Sequence, residues 1–174
     1  MTASPLGYAY ALSGRAAEAL PLLEQGLEEA DRSGFLYDQA LYVTWLGEAS
    51  LLADREEDAL ALAQRALGRS RAQKERGHQA YALRLLGEIA AQHHPLEVTQ
   101  AEAYYQQALA LAEALGMRPL QAHCHRGLGT LYATIGQQEQ ARAALSTAIN
   151  LYRAMEMTFW LPEAEAALAQ VAER

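Results

Sequence analysis

The sequence predicts an all-α chain, a right-handed α-solenoid of about four antiparallel helix pairs closed by a further C-terminal helix. Three observations carry this. The pair Leu-Gly recurs at Leu6–Gly7, Leu46–Gly47, Leu86–Gly87 and Leu128–Gly129, at spacings of 40, 40 and 42 residues. The last three pairs each close a phrase opened by Gln-Ala at Gln39, Gln79 and Gln121. Self-similarity at such a period marks stacked supersecondary units. Second, small residues recur in step at Ala19, Ala59, Ala101 and Ala141, and again seven positions on at Gly26, Ala66, Ala108 and Ala148. Third, alanine, leucine, glutamate, glutamine and arginine dominate, while the β-branched residues that favour strands are scarce.

The units are expected at about 1–34, 35–77, 78–116 and 117–157, forming one solenoid domain over 1–174. In each, the Leu-Gly phrase builds a first helix, a short turn follows, and the second helix starts near the recurring alanine. Small residues let two helix backbones approach, and the neighbouring Leu27, Leu67, Leu109 and Ile149 fill the space that remains. Glycine inside a helix costs about 1 kcal/mol against alanine, so Gly47, Gly87 and Gly129 imply close helix contact. Gly34, Gly77 and Gly116 are expected to end the second helices as C-caps. The segment from about 161 to 174 is a capping helix, with Leu161, Ala164, Leu168 and Val171 packed on the fourth pair.

These columns resemble the tetratricopeptide repeat, in which Leu-Gly lies early in the first helix, an aromatic follows three residues later, and the second helix carries small residues at two positions. Tyr10 and Tyr132 fill the aromatic position, whereas Ser50 and Ala90 depart from it. The turn glycine is present at Gly14 and Gly136, is replaced by Asp54, and is lost in the longer connection through His93, His94 and Pro95. A period near 40 in place of 34 implies helices one or two turns longer than in the standard unit. The runs Met117–Tyr132 and Tyr152–Trp160 are similar to the C-terminal repeat region of bacterial multidomain ATPase, nucleotide-cyclase or transcriptional-regulator signalling proteins. That likeness implies a module of a larger chain, and the incomplete first unit agrees with it.

Chemistry is constrained chiefly by exclusion. No GxxxxGK phosphate loop occurs, and no metal-binding Asp pair is recognisable. His123, Cys124 and His125 are consecutive, so on a helix they diverge by about 100° each and cannot close on one ion. No enzyme activity, cofactor or metal is expected. The net charge of −7 disfavours a nucleic-acid partner. A single cysteine, no secretion signal and no apolar run near 18 residues point to a cytoplasmic chain away from the membrane.

Function therefore belongs to a surface, and the resemblance implies a groove lined by the first helices that receives a protein or peptide partner. Its register gives Leu41, Thr44, Trp45 and Glu48 in the second unit, Tyr81, Arg84 and Glu88 in the third, and His123, Arg126 and Thr130 in the fourth. Specificity is expected in the variable stretches Leu41–Trp45, Tyr81–Leu85 and His123–Gly127. The Lys and Asn of carboxylate-gripping members are replaced by Ser4 and Tyr8. Arg84 and Arg126 could still hold a carboxylate bidentately; alternatively Arg84 and Glu88 pair with each other on a solvated stripe. The functional expectation is a non-catalytic scaffold binding a peptide, helix or adjacent domain, and the alternative is a small-ligand sensor controlling an upstream ATPase or cyclase. Leu6, Tyr8, Tyr10 and Leu12 would leave an apolar face open to self-association.

Overall fold

The structure, a computed structural model, describes residues 3–33 and 38–173. Among these, every regular element is an α-helix: α1 (Ala3–Leu12), α2 (Ala16–Ser33), α3 (Gln39–Leu52), α4 (Glu56–Ala72), α5 (Arg76–Gln92), α6 (Val98–Ala114), α7 (Arg118–Thr134), α8 (Gln138–Ala154) and α9 (Leu161–Ala172). The helices form two compact units, residues 1–89 and 90–174, with the division inside α5. Helices α4 to α8 each hold 17 residues. That length accounts for the 40-residue period.

In the first unit α1 pairs with α2 and α3 with α4, while α2 and α1 both meet α3. The Leu-Gly phrase marks where first and second helices come closest. A Cβ built on Gly7 would lie 2.8 Å from Leu23 Cγ and 3.2 Å from the Ala19 carbonyl oxygen, and one on Gly47 would lie 2.8 Å from Leu85 Cδ2 and 3.4 Å from Leu62 Cβ. Ala19, Ala59, Ala63 and Ala66 are fully buried. Burying the smallest side chains at the contact brings the backbones together, and the flanking leucines fill what remains.

In the second unit α6 pairs with α7, α7 with α8 and α8 with α9. One cluster joins Tyr105, Leu128, Tyr132, Ala141, Leu145 and Val171; another joins Ala122, Ala148, Ile149, Tyr152 and Ala164. The capping residues Leu161 and Leu168 pack against the second cluster. Hence α9 covers the last pair through the four residues the sequence assigns to that task.

Helix C-termini among the described residues close through the backbone. Lys74, Gly116, Gly136, Asp54 and Glu156 take positive φ one residue beyond a C-cap. The next amide then returns to the helix, as in Glu75 N–H to the Ser70 carbonyl (2.9 Å) and Met117 N–H to the Ala112 carbonyl (2.8 Å). This closure satisfies carbonyls that a helix end leaves open. It also corrects one expectation: α4 stops at Ala72, Lys74 supplies the left-handed turn, and Gly77 lies in the first turn of α5. Gly116 does hold its assigned position, and Gly34 lies outside the described residues.

The recurring glutamine has a structural role here. Gln39, Gln79 and Gln121 each donate a side-chain N–H to a carbonyl nine residues earlier, at Ala30 (3.5 Å), Ser70 (3.2 Å) and Ala112 (3.1 Å). At Ser70 and Ala112 the carbonyl already accepts the returning backbone amide, so the glutamine occupies its second lone pair. Each first helix is thereby tied to the end of the second helix before it. Gln79→Ala is expected to cost about 1 kcal/mol, read as a fall of roughly 2–4 °C in the thermal midpoint. An unchanged midpoint would remove this role.

Candidate functional site

The candidate surface consists of those first-helix side chains that packing does not consume. In the first unit, α3 and the start of α5 supply them. Leu41, Tyr42, Trp45 and Tyr81 are part-exposed. Tyr8 of α1 stacks on Trp45, with centroids 4.8 Å apart and planes 12° from parallel, while Tyr42 lies tilted at 5.6 Å. Such stacking fixes ring orientation as well as burying area. Tyr8 therefore supports Trp45 and is not left on an open face, whereas Leu6 remains 47% exposed.

One helical turn on from Trp45 and Tyr81 lies an ion cluster. Arg84 reaches Glu48 on α3 and Glu88 one turn on in its own helix, the latter at 2.5 Å. The Arg84–Glu88 pairing forms as the sequence suggests, but the solvated stripe does not: the side chains of Arg84 and Glu48 are only 8% and 9% exposed. The cause is helix proximity at Gly47, which brings α5 against α3. Thr44 is fully buried and its hydroxyl bonds the Ala40 carbonyl at 2.8 Å. Val43, Ala82, Leu83 and Leu85 are buried as well, so the variable stretches contain much core.

The second unit presents a different constellation. Nδ1 of His123 is 2.7 Å from the Tyr152 hydroxyl, and its ring meets the Trp160 ring edge-on at 4.9 Å. Arg126 lies over the Trp160 ring at 5.0 Å and donates to Glu163 at 2.7 Å. Thr130 is exposed. Gly127 is closely packed, since a Cβ there would stand 2.5 Å from the ring of Tyr105. Cys124 is a buried thiol. Among the described residues no group of three His, Cys, Asp or Glu side chains is arranged to hold a metal ion.

Two ionisable groups on α7 are displaced by their surroundings. Burial raises the Tyr132 phenol to about 12, helped by the hydrogen bond from its hydroxyl to Glu102 at 2.6 Å. Burial holds His125 below its ordinary 6.5, with the Glu113 charge opposing. The unfolded chain then takes up a proton below pH 6.5 that the folded chain resists, so this contribution to stability is present above 6.5 and lost as pH falls below it. His125→Gln is expected to flatten the fall in thermal midpoint between about pH 6.5 and 5. Equal slopes in the two proteins would contradict the assignment.

The basic run Arg65, Arg69, Arg71, Lys74 and Arg76 serves the contact between second helices in part. Arg65 and Arg69 both approach Asp31 at 3.6 Å, and Arg69 also donates to Gln39. Glu56, Glu57 and Asp58 lie in the first turn of α4, where acidic groups suit the helix dipole. Sequence reading missed the Trp160 and Glu163 contacts with α7. One signal was available: Arg84 has an acid four residues on, whereas Arg126 has Thr130 there.

Comparison with known proteins agrees with this geometry. Residues 97–154 match the family model of the tetratricopeptide repeat. No curated protein sequence matches the chain. Among solved structures it is similar to BtubC (BKLC) from P. vanneervenii, at 19% identity and a TM-score of 0.74, over 98% of this chain and 70% of that one. It is also similar to a Podosopora anserina protein with nearly identical TPR-like repeats, named for the kinesin light chain. That match has 18% identity and a TM-score of 0.64, over 99% of this chain and 92% of that one. A singly substituted form of the same protein matches at 17% identity with the same TM-score and coverage. At such identities the likeness concerns the fold, and that fold is a TPR-like α-solenoid. No helix among the described residues is long and apolar enough to cross a membrane.

Proposed function

We propose that the chain is a non-catalytic protein-interaction module that binds a partner segment along the exposed side chains of its first helices. One observation carries the reading. The recurring letters of the repeat are absorbed by packing at Gly7, Gly47 and Gly129 and by the glutamine ties, while Leu41, Trp45 and Tyr81 keep apolar and aromatic surface accessible. Apolar rings beside a buried charged cluster are the make-up of a recognition surface, in which aromatic anchors supply energy and polar groups supply register. The tetratricopeptide match at 97–154 supports this, since such repeats commonly receive protein partners.

More narrowly, the module is read as a cytoplasmic regulator within a larger assembly, a reading supported by the likeness of the Met117–Tyr132 and Tyr152–Trp160 runs to bacterial signalling proteins. The half-exposed Leu6 supports self-association through α1. Light scattering is expected to show concentration-dependent dimers that Leu6→Lys abolishes; a strict monomer at high concentration sinks that part.

The interaction reading is tested by selecting binders from a random displayed-peptide library on the full chain. Leu41→Glu with Tyr81→Glu is expected to weaken the selected peptides at least about tenfold, near 1.4 kcal/mol, with helical content unchanged. Undiminished binding by the folded double variant would overturn it.

A further inference from the structure

The fourth unit differs from the third in how its arginine is satisfied, and that difference points to a site with an occupant already in place. Arg84 takes its carboxylates from within the repeat pattern, Glu48 and Glu88. Arg126, at the equivalent position 42 residues on, has Thr130 where Arg84 has Glu88. It draws its ring and its carboxylate from the segment that opens and begins α9: Trp160 beneath the guanidinium at 5.0 Å and Glu163 at 2.7 Å. His123 adds a second contact to the same ring. We infer that the face of α7 carrying His123 and Arg126 is a receptor for a short helical segment offering an aromatic ring and, three residues later, a carboxylate, and that Trp160 and Glu163 hold it closed as an internal occupant.

The occupant's carboxylate is placed to leave first, while Trp160 also packs against the cluster of Ala122, Ala148, Ile149, Tyr152 and Ala164. Glu163 is 68% exposed whereas Arg126 is 15% exposed, so water can replace the carboxylate far more readily than the arginine can move. The rest of α9 is anchored by the buried Ala164, in the cluster that Trp160 also meets, and by Val171 in the neighbouring cluster. Phe159, beside Trp160 and 63% exposed, gives an incoming segment an apolar ring to meet first. Cation–π stacking together with a charge-assisted hydrogen bond is a selective pair, because a segment must supply both groups at one spacing. Closure by the chain's own residues lowers the apparent affinity for such a segment by the fraction of molecules that are open.

The inference rests on the first-helix reading, but its test is separate from that of Leu41 and Tyr81. A fluorescein-labelled synthetic peptide of residues 157–166 is titrated into the full chain by anisotropy. Trp160→Ala with Glu163→Gln is expected to bind it at least about tenfold more tightly than the unaltered chain. Adding Arg126→Ala is expected to remove that gain. Equal binding by the unaltered and opened chains, or a gain that survives Arg126→Ala, would overturn the inference. Should the double variant lose its helical signal, Glu163→Gln alone, which keeps the Trp160 contacts, is expected to give a few-fold gain sensitive to added salt, and no gain would overturn it equally.

Discussion

Arg84→Ala is expected to destabilise the chain by about 3–5 kcal/mol, because it leaves the buried Glu48 carboxylate without its cation. In a protein of this length the thermal midpoint should fall by roughly 10 °C or more. The cause is tested by a second substitution. Glu48→Gln in the Arg84→Ala background removes the stranded charge and is expected to recover a large part of the loss, since the penalty belongs to the unpaired carboxylate and not to the missing attraction. Additive losses in the double variant would contradict this account. The result also governs how binding data are read, because an Arg84 substitution reports on folding before it reports on a partner. The part-exposed positions Leu41 and Tyr81 are cleaner probes.

Gly129→Val is expected to cost about 2–3 kcal/mol through overpacking. A Cβ at that position would lie 2.6 Å from Leu145 Cγ and 3.1 Å from the Leu145 backbone nitrogen, and the backbone cannot yield as a side-chain tip can. The useful contrast is Gly68, within α4 and exposed, where an added Cβ meets nothing within 4 Å. Gly68→Ala should stabilise by about 0.5–1 kcal/mol through helix propensity alone. Chemical denaturation of the two variants separates a glycine required by helix contact from one that is merely tolerated. Opposite signs are expected, and a neutral Gly129→Val would remove the packing explanation of the Leu-Gly phrase.

The fold was legible because its determinants are local and repeated. Gly7, Gly47 and Gly129 and the small columns at Ala19, Ala59 and Ala141 stand where the period places them, and the cap residues Ala164 and Val171 are buried as the apolar pattern of α9 predicts. Helix ends were less legible. Lys74 takes a left-handed conformation that glycine would favour, so Gly77 drew the boundary too far along. The site was least legible, because burial depends on which helices meet. Thr44, Arg84 and Glu48 share a register with Leu41 and Trp45, yet all three are buried, Arg84 pairing with Glu48 where Leu85 of α5 meets Gly47 of α3. The partnership of Arg126 with Trp160 and Glu163 joins α7 to the start of α9 across more than thirty positions, and no period announces it.

The central claim is that the accessible first-helix side chains form the binding surface. Backbone and side-chain NMR of the isotope-labelled full chain, titrated with a peptide selected from the displayed library, tests it directly. Shift changes are expected to concentrate on Leu41, Trp45 and Tyr81 and on the neighbouring turns of α3 and α5, leaving α4 and α8 nearly still. Changes concentrated on the second helices, with Leu41, Trp45 and Tyr81 unmoved at saturation, would contradict the claim.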